Sequence, residues 1–264
     1  MLFAMPAEDN GMECDGMKRI MLVVAYEGTA YQGWQVQKNA CTIEQILNET
    51  LSELLGEPIT VTGASRTDSG VHSLGNVAVF DTDTRIPAEK LSYALNQRLP
   101  ADIVIQSSRE VASSFHPRKC KSRKTYEYRI LNRTFPIPTL RRDTFFYHYP
   151  LDAERMNKAA SYLIGRHDFK SFCSIHTQAT DTVRELYACS VTRRDDLIIL
   201  RIEGEGFLYN MVRIIAGTLI EVGCGKREPE EVKEILASCD RGAAGPTAPA
   251  CGLTMMGICF EEEP

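Results

Sequence analysis

Paired thiols are missing from this chain. Its nine cysteines (Cys14, Cys41, Cys120, Cys173, Cys189, Cys224, Cys239, Cys251 and Cys259) are an odd number at scattered spacings, and no two form a C-x-x-C pair. That leaves neither a disulfide framework nor clustered thiols with histidine neighbours for zinc. Reduced thiols, a cytoplasmic setting and no metal role are the expectation. Long apolar runs are missing as well: none approaches the roughly 18 residues of a membrane span, and the first residues lack a basic start followed by an apolar stretch. A membrane role and export are therefore not expected. What remains is ordinary globular composition, 44% hydrophobic and 8% aromatic over 264 residues, enough for two modest domains with a proper core.

Net positive charge is also absent, the formal balance being -5, which at first argues against a nucleic-acid partner. Distribution matters more than the sum. Between His116 and Arg142 there are nine basic residues (Arg118, Lys119, Lys121, Arg123, Lys124, Arg129, Arg133, Arg141 and Arg142) against the single acid Glu127. Phe115, His116, Tyr126, Tyr128, Phe135, Phe145 and Phe146 interleave with them, so stacking surfaces lie beside phosphate-binding ones. A solvated basic loop is the plainer reading of the same charges.

Periodicity organises the chain into two halves. Residues 1–17 are set apart as a loose N-terminal extension, because Met17 directly precedes the first strand, Lys18 to Tyr26. A Gly-rich loop follows. Thr42 and Gln45 then make a capping box for a helix whose face is Ile43, Ile46, Leu47, Thr50, Leu51, Leu54 and Leu55, stopped by Gly56 and Pro58. Strands at Pro58 to Ala64 and Leu74 to Thr82, a helix opening at Pro87, and a strand at Asp102 to Val111 complete β-α-β-β-α-β over residues 18–112. Residues 113–264 repeat the order more loosely. Strands are predicted at Thr125 to Leu131, Thr182 to Thr192, Asp196 to Gly204 and Leu253 to Glu261, with helices at Asp152 to Ile164, Phe207 to Val222 and Glu230 to Ala237. The fold class implied is α+β: two ferredoxin-like β-α-β-β-α-β halves with mixed or antiparallel sheets meeting around a central cleft.

Ser65-Arg66-Thr67-Asp68-Ser69-Gly70-Val71-His72 places one carboxylate beside one arginine in a polar turn between two strands, where functional groups gather. An Asx-type turn, with the Asp68 side chain capping its own backbone and Gly70 supplying positive φ, explains the same residues without function. Arg213 lies in the middle of an apolar helix and needs a carboxylate unless it snorkels to solvent; breaking a buried pair costs on the order of 3 to 5 kcal/mol. Tyr126 and Tyr128 share one strand face, which usually means core. At the edge of a basic surface, though, such a ring can stack a base taken out of its helix.

Seven ordered blocks resemble the TruA-type tRNA pseudouridine synthases, from about Lys18 to Glu262. They are Tyr26-Glu27-Gly28-Thr29 through Tyr31-Gln32-Gly33-Trp34-Gln35, the Ser65 to His72 turn, Phe115-His116-Pro117-Arg118, Lys124-Thr125-Tyr126-Glu127-Tyr128, His167-Asp168-Phe169, Phe207-Leu208-Tyr209-Asn210-Met211-Val212-Arg213, and Ala244-Gly245-Pro246-Thr247-Ala248-Pro249-Ala250. The resemblance implies isomerisation of uridine to pseudouridine at positions 38 to 40 of the tRNA anticodon stem-loop, without metal or cofactor, by a homodimer. It implies that Asp68 is the essential residue, as a nucleophile at C1′ or through deprotonation at C2′ and a glycal. Tyr126 then stacks on the target base and helps remove the C5 proton. Arg213 keeps Asp68 ionised and oriented, Arg66 enters the space left by the extruded nucleotide, and Leu253 lines the uracil pocket. The segment Arg118, Lys119, Lys121, Arg123 and Lys124 binds phosphates. Ser65 replaces a frequent glycine of the family, Ser73 a frequent alanine, and Glu205 an Asn or Asp. Alternatives are the same chemistry on other RNA uridines, a non-catalytic tRNA-binding protein, and a hydrolase of another N-glycoside. The last usually needs two carboxylates flanking the bond.

Overall fold

The computed structural model describes residues 16–261. Most of the extension set apart at residues 1–17 therefore lies outside the described residues, as does Cys14. The first half runs β1 (Lys18–Tyr26), α1 (Ile43–Leu55), β2 (Thr62–Gly63), β3 (His72–Thr82), α2 (Leu91–Asn96) and β4 (Ile103–Val111). The second runs β5 (Ser122–Asn132), β6 (Phe145–Tyr147), α3 (Ala153–Ser161), β7 (Gly165–Asp168), β8 (Val183–Arg194), β9 (Leu197–Gly204), α4 (Met211–Gly223), α5 (Glu231–Ser238) and β10 (Leu253–Phe260).

The architecture is α+β around one mixed ten-stranded sheet, ordered β4-β1-β3-β10-β5-β9-β8-β7, with β2 paired to β3 and β6 to β5. The two halves thus share a continuous sheet instead of bringing two sheets face to face. Their joint is short. β10 runs antiparallel to β5 along most of its length but parallel to β3 at only two pairs, Thr254 with His72 and Met255 with Ser73. Met255 also stands opposite Tyr126, and Leu253 opposite Tyr128. The turn that precedes His72 is thereby carried to the strand that holds Tyr126.

Each half buries its own apolar stripe. In the first, alternate β1 residues Ile20, Leu22, Val24 and Tyr26 meet Ile43, Leu47 and Leu51 of α1 and Leu91 and Leu95 of α2. Full burial of one such aliphatic side chain is worth about 1.5 to 3 kcal/mol, so three on α1 suffice to dock it. Thr42 caps that helix as its sequence implies, accepting from Gln45 N at 3.4 Å. The reciprocal half of the box is absent, because Gln45 Nε2 donates to Glu49 instead. In the second half, α4 is buried along its length except at Arg213 and Glu221.

Two sequence expectations differ from the structure for local reasons. The apolar stretch from Pro58 to Ala64 is strand only at β2. Ile59 N donates to Ser52 Oγ at 2.8 Å and Val61 N to Asn48 Oδ1 at 2.8 Å, so side chains of α1 hold backbone groups that a neighbouring strand would have used. The helix expected from Phe207 starts at Met211. Asn210 takes the left-handed conformation at φ 61° and its side chain accepts from Arg213, so it caps no backbone amide. Strands β6 and β7 are too short for periodicity to reveal.

Candidate active site at the sheet joint

The turn between β2 and β3 is fastened at many points. Trp34 N donates to Thr67 O at 3.1 Å, Gly70 N to Tyr31 O at 3.2 Å, and Val71 N to Asp68 O at 3.1 Å. The hydroxyls of Tyr26 and Thr67 are 2.8 Å apart, and Asn76 Nδ2 donates to Ser65 O at 2.9 Å. Gly70 has φ 78°, a conformation that suits a residue without Cβ. Backbone bonds close this turn, and the Asp68 carboxylate accepts from no backbone amide among the described residues. The Asx-turn reading, which needs the side chain as cap, does not hold.

The Asp68 carboxylate meets Arg213 instead. Arg213 Nη1 lies 3.4 Å from Asp68 Oδ2, at the long end of an ion pair, and 2.9 Å from Asn210 Oδ1; its Nε donates to Ala248 O at 2.8 Å. The block Ala244 to Ala250 therefore holds the guanidinium from one side while the turn before α4 holds it from the other. Arg213 neither snorkels nor relies on Asp68 alone. Burial pushes the Asp68 carboxyl above the usual carboxylate range, and Arg213 pulls against that shift without reversing it.

Tyr126 is buried beside this pair. Its hydroxyl is 3.2 Å from Ser65 Oγ, and its ring meets Phe207 edge to face, with centroids 5.1 Å apart at 81°. Burial pushes its phenol up to about 12, Asp68 adds to the rise, and the Ser65 hydrogen bond opposes it. Tyr128 points the same way along β5 but is fully buried, its hydroxyl donating to Pro249 O at 2.8 Å, so it belongs to the core.

Asp68 and Tyr126 line a cleft of about 820 Å³ that also takes in Arg66, Arg118, Lys124 and Leu253, and Arg213 reaches it through its pair with Asp68. Arg66 is exposed at its mouth and Leu253 is buried in its wall. The basic segment does not enter it as a unit. Lys119, Lys121 and Arg123 do not line the cleft: the two lysines are exposed outside it. Period-two alternation along β5 turns Arg123 to the opposite face from Lys124, where it pairs with Glu203 at 3.5 Å and lies over Tyr187. The aromatics of that region are also mostly structural. Phe115 is buried edge to face against Phe260, and Phe145 packs on the second core.

Arg184, Tyr209 and the loop residues His176 to Ala179 line the cleft too, and sequence reasoning missed them as site residues. Tyr209 sits inside a matched block and could have been found there. Arg184 lies in a strand reading Thr182-Val183-Arg184-Glu185-Leu186, where nothing local distinguishes it. Among the described residues, no group of three or more His, Cys, Asp or Glu is placed to hold a metal ion, and no helix is long and apolar enough to cross a membrane.

A family model described as tRNA pseudouridine synthase matches residues 22–118 and 159–261. The chain belongs to that family. It is 50% identical over 244 residues to a tRNA pseudouridine synthase A of Thermoanaerobacter sp. (strain X514), covering 92% of this chain and all of that protein. Proteins of the same name from Brevibacillus brevis, 48% identical over 246 residues, and Ruminiclostridium cellulolyticum, 47% over 245, each cover 92% of this chain and all of their own length. The protein is accordingly an isomerase, a tRNA pseudouridine synthase. The matched stretches include both the turn carrying Asp68 and the helix carrying Arg213, the two segments that the sheet joint brings together.

Proposed function

We propose that this synthase converts uridine to pseudouridine at positions 38 to 40 of the tRNA anticodon stem-loop, with Asp68 as the catalytic residue. In the reaction the N1–C1′ bond breaks, the uracil turns, C5 joins C1′, the C5 proton leaves and N1 gains one. The observation that carries the reading is that Asp68 and Tyr126 line one cleft while Arg213 pairs with Asp68. A single carboxylate there suits attack at C1′ or deprotonation at C2′, and does not suit hydrolysis by a flanking pair.

In this reading Arg213 orients Asp68 and offsets part of its desolvation. Tyr126 stacks on the base; a phenol near 12 is neutral at pH 7, which favours stacking over unaided removal of the C5 proton. Arg66, exposed at the mouth, takes the space of the extruded nucleotide, and Leu253 forms an apolar wall for uracil. Lys119 and Lys121 meet phosphates of the stem from outside the cleft, while Arg123, already paired, contributes less. No cofactor is needed, the enzyme acts as a homodimer, and it works in the cytoplasm. We also read residues 18–112 and 113–264 as two ferredoxin-like halves. The strand orders β4-β1-β3-β2 and β10-β5-β9-β8 support this, each being fourth, first, third and second in its half once the short β6 and β7 are set aside.

The experiment is site mapping of pseudouridine in unmodified tRNA incubated with the protein and no added metal or cofactor, with Asp68→Asn alongside. New pseudouridine at positions 38 to 40 from the wild type alone is the expected result. Modification elsewhere would favour other RNA uridines, and turnover by Asp68→Asn would remove Asp68 from the mechanism.

A further inference from the structure

Among the described residues, three cations inside the catalytic cleft have no acidic partner, and neither has Arg66 at its mouth. Arg118 lies in the turn before β5, Lys124 on β5 and Arg184 near the start of β8, and all three line the cleft that holds Asp68. Arg118 Nε donates to Gly63 O at 2.7 Å, and Arg184 Nη1 donates to the carbonyls of Asp181 at 3.1 Å and Val183 at 2.6 Å. Backbone carbonyls thus aim both guanidinium groups without neutralising them. The Lys124 side chain has no hydrogen bond or ion pair among the described residues.

Four arginines close by in the chain are paired with acids instead. Arg123, Arg129, Arg133 and Arg142, all within or next to β5 or in the segment that follows it, reach Glu203, Asp143, Asp196 and Glu27 at 3.5, 2.8, 3.2 and 2.8 Å. Leaving Lys124 without such a partner has an electrostatic cost. Burial pushes its ammonium down from the ordinary lysine range, Arg118 and Arg184 push it further the same way, and no carboxylate opposes them. Like charges gathered around a half-buried lysine favour an anion there, and a planar guanidinium matches a phosphate in two-point contact.

We propose that Arg118, Lys124 and Arg184 form one pocket that grips a single backbone phosphate flanking the uridine in the Asp68 cleft. This rests on the pseudouridine-forming reading and names a subsite within it. The pocket spans one sheet from β5 across β9 to β8, and the phosphate held there sets how deeply the nucleotide enters. Lys119 and Lys121, outside the cleft, have no share in it.

The test is binding of an anticodon stem-loop RNA in which the phosphodiester on either side of the target uridine is replaced by a neutral methylphosphonate, compared with one replaced in the stem. Wild type should lose about tenfold or more in affinity at one of the two flanking linkages, the size expected for charge-assisted hydrogen bonds. At that linkage Arg184→Gln and Lys124→Gln should lose less than twofold further, while both keep the wild-type response at the stem linkage. Equal losses in wild type and variants at both flanking linkages overturn the proposal. Lys124→Gln should also melt at or above the wild-type temperature, since it removes a repelled charge; a lower melting temperature with unchanged RNA affinity would make Lys124 a structural residue and overturn it as well. Binding needs no turnover. Pseudouridine formation by the wild type is scored separately, so failure of the reaction and failure of the pocket are distinct results.

Discussion

Arg213 Nη1 stands 3.4 Å from Asp68 Oδ2, a pair 145 residues apart in sequence and joined only because β10 links the two halves of the sheet. The pair is asymmetric in its dependence. Arg213 has two further acceptors, whereas Asp68 has no other donor among the described residues.

The pH dependence of the reaction follows from that asymmetry. Activity that needs ionised Asp68 disappears as pH falls through its pKa, which burial places above the ordinary value of 3.8. Arg213→Met removes the opposing influence, so its acid limb should move to higher pH than the wild type's. An unmoved limb would separate Arg213 from the ionisation of Asp68.

Stability should respond with the opposite sign. A carboxyl whose pKa is raised by folding stabilises fully below its unfolded value, and that contribution is lost as pH rises through the folded value. Asp68→Asn should therefore melt above the wild type at neutral pH, with the gap closing as the solution is acidified. Arg213 keeps Ala248 O and Asn210 Oδ1 in that variant. Equal melting temperatures from acid to neutral pH would show that Asp68 is not held in its unfavourable form.

Ser65 Oγ stands 3.2 Å from the Tyr126 hydroxyl. Ser65→Ala should cost roughly 0.5 to 1.5 kcal/mol of transition-state stabilisation, about two- to tenfold in kcat/KM. Tyr126→Phe should show a loss of similar size, and the double variant should lose no more than either single one. Additive losses would mean that the two hydroxyls act independently.

Gly217 lies on α4 where a Cβ would fall on the Pro246 carbonyl oxygen. Gly217→Ala must push the Ala244 to Ala250 segment away, at about 1 to 3 kcal/mol in a denaturant titration. The same segment supplies Ala248 O to Arg213, so activity should fall by more than the lost stability explains. An active variant of unchanged stability would show that this segment can move without disturbing Arg213.

Lys119 and Lys121 are exposed and line no part of the cleft. Reversing both to glutamate should weaken tRNA binding and reduce the slope of log affinity against log salt by about one to two. The rate at saturating tRNA should stay near that of the wild type. An unchanged slope would return these lysines to a solvated surface.

Much of the fold was legible because local rules and tertiary packing agree. The Ile43, Leu47 and Leu51 face, the Thr42 cap and the alternation in β1 mark their elements without reference to the rest of the chain. Pro58 to Ala64 read as a longer strand because its β-branched residues satisfy strand periodicity, while the side chains of Ser52 and Asn48 that claim its backbone lie one element away. The site was legible in part for a similar reason. Asp68, Tyr126 and Arg213 each stand in a distinctive block, but Arg184 sits in an ordinary amphipathic strand.

By itself the sequence determined the element types, the two apolar cores and the resemblance that points to the reaction, since hydrophobic period, capping residues and motif spacing are properties of neighbours along the chain. Only the tertiary structure decided that the halves share one sheet through two residue pairs of β10 and β3. Only it decided that Lys124 faces Asp68's cleft while Arg123 turns away to Glu203. Which charges are left without partners depends on what the fold brings within a few ångströms, and that distance is set by packing across the sheet, not by position in the chain.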